Sequence, residues 1–383
     1  MYAICLSNSD TISGAEKRAI KLFSELNRIG IPCKLIISKQ LFYLFKKGEY
    51  REYLNDHCIL INTRWLRWLT SVQFKNKFIK VFFSVLRYTD MDKIIERIYC
   101  NQLNKIILKN NLSVLHVFLD LQLTQFIQKD INHCKIIFEI TSPDYVKRLS
   151  NKNLFLDNID KFNAVSDSVY YSSLKFIDEV KLSKAPIPFF NPIEYSIDDN
   201  DNIFEKKENV IIFAHRLINR KNGLLFAQVV KVFLQKKPDW LVKIYGKGPE
   251  SERINNILQE EIREGKVMTG YTTKIIPELM NSKIFVSLIE PDNYPSQSVL
   301  EAMYTGNALL LSDKGYTGEK FINNNGLLSE ITFDDVLNNL MNLVETTNLE
   351  ILGQNSMTLL NDRYNKKIYV DYILNLYKSV TEY

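Results

Sequence analysis

Residues 209–223 read NVIIFAHRLINRKNG. The apolar run at 209–214 has the length of a buried strand. It ends in a polar loop carrying Arg216 and, five residues later, Lys221. The stretch 223–236 then has a helical pattern, and WLVKIYG (240–246) reads as a second strand. Strand, loop, helix and strand in that order form the unit of a parallel sheet covered by helices.

The alternation extends in both directions. Downstream lie a helix over 249–263, strands KVMTG (266–270) and KIFVSLI (283–289), a helix from about Pro295, and strand ALLLSD (308–313). The remaining segments are helical. The last, 366–381, places Ile368, Tyr369, Tyr372, Ile373, Leu376 and Tyr377 on one face. Upstream, YAICL (2–6) leads through a loop into a helix with Ala19, Leu22, Phe23 and Leu26 at three-and-four spacing. Gly30 stands where a helix C-cap belongs. CKLIIS (33–38), CILIN (58–62), SVLHVFL (113–119), CKIIFEI (134–140) and FNAVS (162–166) continue the strand series.

The stretch 186–208, with three prolines and a polar run, breaks the rhythm. The pattern therefore predicts an α/β protein of two doubly wound domains. Residues 1–190 form the first, 191–208 a linker, 209–365 the second, and 366–383 a final helix. Open α/β sheets bind ligands beyond the carboxyl ends of their strands. Chemistry is expected in a cleft where the strand ends of the two halves face each other.

Composition agrees with this division. A length of 383 residues suits two or three domains. Hydrophobic residues make up 46% and charged residues 24%, which excludes a disordered chain. No apolar run approaches the roughly 18 residues of a membrane span. The first ten residues, MYAICLSNSD, lack the basic region of a signal peptide, so a cytoplasmic location is expected. The five cysteines are scattered without a CxxC pair, and no two of the four histidines are close in sequence. Buried free thiols and no structural metal are expected.

Charge is uneven. Residues 1–185 hold 28 Lys+Arg against 18 Asp+Glu, and the remainder 21 against 26. Residues 61–89 contain Arg64, Arg67, Lys75, Lys77, Lys80 and Arg87, several large aromatics and no acid. Such a stretch lies well on an anionic bilayer. It also fits a helix pair with a solvated basic face and an aromatic core. Nucleic acid is not expected, because no binding motif accompanies the charge.

Three features of the second half carry chemistry. Arg216 and Lys221, at the carboxyl end of a strand and ahead of a helix, suit a phosphate-bearing ligand. NYPSQSVLEAM (293–303) follows strand 283–289, with Pro295 and Ser296 as the first residues of a helix. The amides near Ser298 and Val299 would then face an anion, and Glu301, one turn on, would accept hydrogen bonds from ligand hydroxyls. A surface helix with a solvated glutamate explains the same residues. YGKGPE (245–250) is a glycine turn; Gly246 and Gly248 fit a close backbone approach to a ligand, and a tight turn equally well.

In order and spacing these features resemble the retaining glycosyltransferases of the GT-B fold, family 4, also called glycosyl transferases group 1. The matching residues are Arg216-Leu217, Lys221, Gly246-Lys247-Gly248-Pro249, Val267 to Gly270, and Leu300-Glu301-Ala302-Met303. Gly306, Ser312-Asp313 and Asn325-Gly326-Leu327-Leu328 also resemble that family. So do Ser13-Gly14-Ala15-Glu16, Val165-Ser166 and Asn191-Pro192 in the first half. The resemblance implies two Rossmann-like domains facing a central cleft, an acceptor domain first and a nucleotide-sugar domain second. The final helix would cross back onto the first domain.

The implied activity is transfer of a sugar, with retention, from a nucleotide-diphosphate-sugar to a glycan or lipid-linked acceptor in cell-surface polysaccharide synthesis. Arg216 and Lys221 would neutralise the leaving diphosphate, and Glu301 would hold the ribose hydroxyls. The Gly14 loop would approach donor phosphate and acceptor. No cofactor and no metal would be required. The chain departs from the family at two places. The first of its two glutamates, eight residues before Glu301, is Asn293 here, with Asp292 beside it; either would contact the donor sugar. After strand 134–140, where the family often has His-Asp, Thr141, Ser142 and Asp144 are candidate replacements. His215 replaces a common glycine, either facing phosphate or packing in the loop. His116 is expected in the core. The altered first carboxylate also suits a scaffold that binds a nucleotide-sugar without turnover. Asp90-Met91-Asp92 and Asp199-Asn200-Asp201 match the Asp-x-Asp of metal-dependent glycosyltransferases, but so short a motif is uninformative.

Overall fold

The computed structural model describes residues 1–6, 12, 14–48, 50–61, 91–119, 133–149, 156–191, 203–293, 295–346 and 348–382. The basic stretch read at 61–89 lies outside them except for Ile61, as do Ser13, Pro192 and both Asp-x-Asp matches save Met91 and Asp92. The chain forms two compact units, Met1–Pro186 with Tyr369–Tyr383, and Ile187–Ile368. The first unit thus ends a few residues before the break expected at 190.

In the first unit the order is β1 (Tyr2–Leu6), α1 (Gly14–Arg28), β2 (Cys33–Ser38), α2 (Lys39–Lys47), β3 (Cys58–Ile61), α3 (Met91–Lys109) and β4 (Val114–Phe118). It continues with β5 (Lys135–Ile140), α4 (Pro143–Leu149), β6 (Lys161–Ala164), α5 (Asp167–Ser173) and β7 (Leu182–Lys184). The sheet order is β3-β2-β1-β4-β5-β6-β7, with every pair parallel. Central strands are buried on both faces, which explains their mostly apolar runs, interrupted by His116 and Glu139. Helix α1 ends as its sequence predicts. Ile31 N–H donates to Leu26 and Gly30 N–H to Asn27, with Gly30 at φ 81°, a conformation that favours glycine.

The second unit contains β8 (Glu208–Ala214), α6 (Gly223–Lys236), β9 (Leu241–Tyr245), α7 (Ser251–Ile257), α8 (Gln259–Arg263), β10 (Val267–Gly270), α9 (Ile275–Met280) and β11 (Ser282–Ser287). After these come α10 (Gln297–Tyr304), β12 (Ala308–Ser312), α11 (Thr317–Phe321), β13 (Gly326–Ser329), α12 (Phe333–Thr346) and α13 (Leu349–Arg363). The six parallel strands run β10-β9-β8-β11-β12-β13. In chain order this is the 3-2-1-4-5-6 arrangement of dinucleotide-binding sheets, with its switch point between β8 and β11. The helix expected over 249–263 is broken at Leu258 into α7 and α8.

The last helix, α14 (Lys366–Thr381), lies from Tyr369 onward in the first unit. Its apolar stripe buries Tyr369, Val370, Ile373, Leu376, Tyr377 and Val380. It also joins a buried polar cluster that the apolar patterning does not anticipate. Glu139, fully enclosed, pairs with Arg18 of α1 at 2.8 Å and with His116 Nε2 at 3.0 Å. Asn163 Nδ2 donates to the same carboxylate at 2.7 Å. Tyr372 of α14 donates to Asn163 Oδ1, and the Tyr377 hydroxyl meets His116 Nδ1 at 3.1 Å. Burial works against the charge on Glu139, but Arg18, His116 and Asn163 outweigh it and hold the carboxyl below its ordinary value. His116 is a core residue, as expected, with both ring nitrogens partnered. The described cysteines are free thiols.

Candidate functional site

Strand β8 ends at Ala214 and its following loop is stitched to the loop after β9. His215 N–H donates to Tyr245 O at 3.0 Å, Leu217 N–H to Lys247 O at 3.0 Å, and Glu250 N–H to Leu217 O at 3.2 Å. This contact explains the two glycines. A Cβ at Gly246 would stand 1.8 Å from the His215 carbonyl oxygen, and one at Gly248 would stand 2.1 Å from that of Leu217. The close approach made by Gly246 and Gly248 is to the neighbouring loop. They hold the loop that carries Arg216 close, and Gly246 also lines the cavity described below.

Lys221 closes a short 3-10 turn, Asn219–Lys221, ahead of α6. Asn222 follows in the left-handed conformation, at φ 55°, and its side chain donates to Leu288 O at 2.7 Å. That bond ties the turn to the chain leaving β11. Arg216, Arg220 and Lys221 form a group of like charges. Among the described residues, no carboxylate comes within ion-pair distance of any of them. Burial, and then the charges of Arg220 and Arg216, bring the Lys221 ammonium down to about 8. Such a group favours an anion, which would relieve its mutual repulsion.

His215 packs edge-on against Phe213 and Phe285, with centroids 5.0 and 5.7 Å away. Burial, with Lys221 nearby, pushes its pKa down to about 3. It is therefore a neutral imidazole at physiological pH and adds no charge for a phosphate.

A cavity of about 410 Å³ opens beside these loops, built by the second unit alone. Arg216, His215 and Gly246 form part of its wall, with Ser298 and Glu301 from α10. Helix α10 begins at Gln297 with Ser296 as its N-cap, so Pro295 is exposed outside it, two residues before the observed start. The Ser296 side chain makes no capping bond and lies 3.1 Å from Ser298 Oγ. Leu300 N–H is bonded to the cap carbonyl at 3.2 Å, so the amides of Gln297, Ser298 and Val299 precede the helical ladder. The Val299 side chain is core, leaving only its backbone for a ligand.

Asp292 and Asn293 stand apart from that wall. Asn293 is buried; its Oδ1 accepts from Ser287 Oγ at 2.5 Å, and its Nδ2 donates to Ser287 O at 2.9 Å and Ser312 Oγ at 2.8 Å. Asp292 accepts from Tyr316 N–H at 3.1 Å and Thr317 Oγ1 at 3.2 Å, holding the start of α11. Both side chains are engaged in tying β11 to β12 and α11.

The remaining candidates belong to the first unit. Gly14 opens α1, and a methyl group there would meet no atom within 4 Å. Thr141 and Ser142 follow β5, and Ser142 O accepts from Tyr145 N–H as α4 starts. Asp144 is the second residue of α4. Among the described residues no three His, Cys, Asp or Glu side chains gather as a metal site.

The sequence reading did not single out Tyr245, Tyr271, Thr272 or Ile275, which complete the cavity wall, nor Lys247 as a site residue. The Lys247 ammonium lies 4.2 Å from the centre of the Tyr271 ring. The signal was present: Tyr271 directly follows β10, at a strand's carboxyl end.

Residues 195–356 match the family model described as glycosyl transferases group 1. The matched segment contains the whole cavity wall, from Ala214 to Glu301. Solved structures extend the likeness to both units. A glycosyltransferase from Rickettsia africae ESF-5 superposes with a TM-score of 0.71 at 15% identity, over 99% of this chain and 98% of that one. A TarM variant of S. aureus, in complex with fondaparinux, α-GlcNAc-glycerol and UDP, gives 0.66 at 13% identity, over 98% and 99%. HepE of Anabaena, in complex with UDP and glucose, gives 0.64 at 13% identity, over 99% and 100%. At such identities the likeness is one of fold, and that fold is GT-B. The chain has no significant sequence match among curated proteins. No described helix is long and apolar enough to cross a membrane.

Proposed function

We propose that this protein is a retaining, metal-independent glycosyltransferase. It moves a sugar from a nucleotide-diphosphate-sugar to a glycan or lipid-linked acceptor in cell-surface polysaccharide synthesis. The observation that carries this reading is the group formed by Arg216, which lines the cavity, with Arg220 and Lys221, and with no described carboxylate in ion-pair reach. A diphosphate supplies the missing negative charge, and that charge grows as the diphosphate leaves. Arg216 and Lys221 stabilise the developing charge, the role a metal plays elsewhere. The amides of Ser298 and Val299 add donors and the helix dipole. Glu301 accepts hydrogen bonds from the ribose. Gly14 leaves room for donor phosphate and acceptor, and Thr141, Ser142 and Asp144 are the first-unit candidates for acceptor chemistry. The UDP in the TarM and HepE structures supports a uridine donor class. Residues 61–89 suit contact with an anionic inner membrane surface, where a lipid-linked acceptor resides.

The engaged side chains of Asp292 and Asn293 favour one second reading, a nucleotide-sugar-binding scaffold without turnover. Release of UDP from UDP-sugars separates the two. Turnover abolished by Arg216→Ala and by Glu301→Ala, with unchanged melting temperatures, supports transfer. Tight UDP binding without turnover supports the scaffold. Wild-type rates in both variants would sink the site assignment.

A further inference from the structure

Helix α2 starts directly at the carboxyl end of β2, where Ser38 caps it by accepting from Leu41 N–H at 3.2 Å. It buries Leu41 and Phe45, one turn apart, on its protein side. The exposed surface is unusual for a surface helix. Tyr43, opposite the buried pair, is 56% exposed and Leu44, on the flank, 36%, and Lys39, Lys46 and Lys47 are exposed around them. The helix contains no acidic residue. In sequence, residues 39–89 carry ten basic residues and three acidic ones.

From this face we infer that α2 is a docking element for an anionic lipid bilayer. The inference rests on the membrane part of the function proposed above, and assigns that contact to an element outside residues 61–89. The chemistry is complementary at each point. The Tyr43 ring has an apolar body and a polar hydroxyl, which suits the headgroup level of a bilayer. Leu44 enters the acyl boundary beside it. The three lysines reach lipid phosphates, and nothing acidic on the helix opposes them. Because α2 springs from the carboxyl end of β2, docking there brings lipid to the ligand-binding edge of the first unit's sheet.

A second group of exposed apolar residues in this unit lacks that complementarity. Tyr171, Leu174, Phe176 and Val180 are exposed. Their lysines, however, are interspersed with Asp178 and Glu179, and Lys184 is paired with Asp167 at 2.7 Å. A mixed-charge patch has no preference for an anionic surface. It provides an internal control.

The test is flotation of the full chain with vesicles of phosphatidylglycerol and phosphatidylcholine, against phosphatidylcholine alone. Wild type binds only the anionic vesicles, and releases at about 1 M salt, where the screening length falls to about 3 Å. Each lysine near an anionic surface contributes about fivefold in partitioning, so Lys46→Glu with Lys47→Glu lowers binding by at least about 25-fold. Tyr43→Ser with Leu44→Ser lowers it about tenfold. These positions are exposed, so melting temperatures stay unchanged. Val180→Ser leaves flotation at the wild-type level. A variant with Arg64, Arg67, Lys75 and Lys77 changed to Gln separates the two readings. If it abolishes flotation while the α2 variants still float as wild type, the membrane reading stands and α2 is excluded. If wild type itself does not float, both fall. Salt-sensitive RNA retention or a concentration-dependent dimer, lost in the α2 variants without any vesicle binding, assigns the face to another partner and overturns the inference. UDP binding, measured without vesicles, reports on the donor site alone.

Discussion

Replacing Gly246 by alanine tests whether the loop contact sets the position of Arg216. The new Cβ would stand 1.8 Å from the His215 carbonyl oxygen, and real Cβ atoms essentially never come closer than 3.0 Å. The loops must therefore separate by about 1.2 Å, the difference between those distances. The obstacle is backbone, so no side-chain rotation relieves it. His215 directly precedes Arg216, and the adjacent bond from Leu217 N–H to Lys247 O moves with it. A misplacement near 1 Å costs about 100-fold in rate, and overpacking of this kind destabilises by about 1–3 kcal/mol. The assay is UDP titration calorimetry together with UDP release from its sugar conjugates, with thermal unfolding alongside. Gly246→Ala is expected to lose about 100-fold in turnover and weaken UDP binding, with a melting point lower by several degrees. Gly14→Ala is the control for stability alone, since its methyl group meets nothing within 4 Å; its melting point stays unchanged or rises slightly, because alanine favours helix. If Gly246→Ala binds and turns over as wild type, the loops yield without moving Arg216 and the reasoning is refuted.

Two further outcomes follow from buried charge. Lys221 titrates at about 8, below the ordinary 10.5, so a bound diphosphate that restores its charge must take up a proton between those values. UDP affinity should be flat from about pH 7, where the terminal phosphate is already ionised, to pH 8 and fall above it. Calorimetry above pH 8 in two buffers of different ionisation enthalpy should show proton uptake, absent in Lys221→Arg; affinity rising above pH 8 would contradict the assignment. In the free protein the sign is opposite: the unfolded chain holds this proton more tightly, so stability rises as pH climbs from about 8. Glu139→Gln should destabilise the first unit by about 3 kcal/mol at neutral pH by leaving Arg18 without its partner. The native carboxyl titrates below its ordinary value, so its stabilisation is complete at neutral pH and lost as pH falls through the folded pKa. Urea unfolding of wild type and Glu139→Gln should therefore converge in acid; an equal gap at both pH values would exclude Glu139 as the cause.

Most of the architecture was legible because strands such as 209–214 and 113–119 are buried on both faces and are mostly apolar. Their alternation with helices leaves few topologies open. The break at Leu258 was not legible, since the residues around it keep a helical pattern on either side. Within the site, Arg216, Ser298 and Glu301 were legible from position: they follow strands at the carboxyl edge. The role of Gly246 was not, because glycine reports only that something comes close, and here it is the His215 carbonyl. Asn293 shows the same limit. Spacing places it eight residues before Glu301, but only the fold joins its amide to Ser287 and Ser312. The pairing of Glu139 with Arg18 joins residues 121 positions apart, and a lone glutamate in an apolar strand does not name its partner.

The return of α14 to the first unit has a consequence for biosynthesis. Residues 187–368 are contiguous and can close as soon as they clear the ribosome. The N-terminal unit, although made first, waits for residues 369–383 to cover Glu139 and His116. During translation its sheet, whose strands are all made by Lys184, keeps an apolar, charge-bearing face open to solvent until α14 arrives, which is where a chaperone would find this nascent chain.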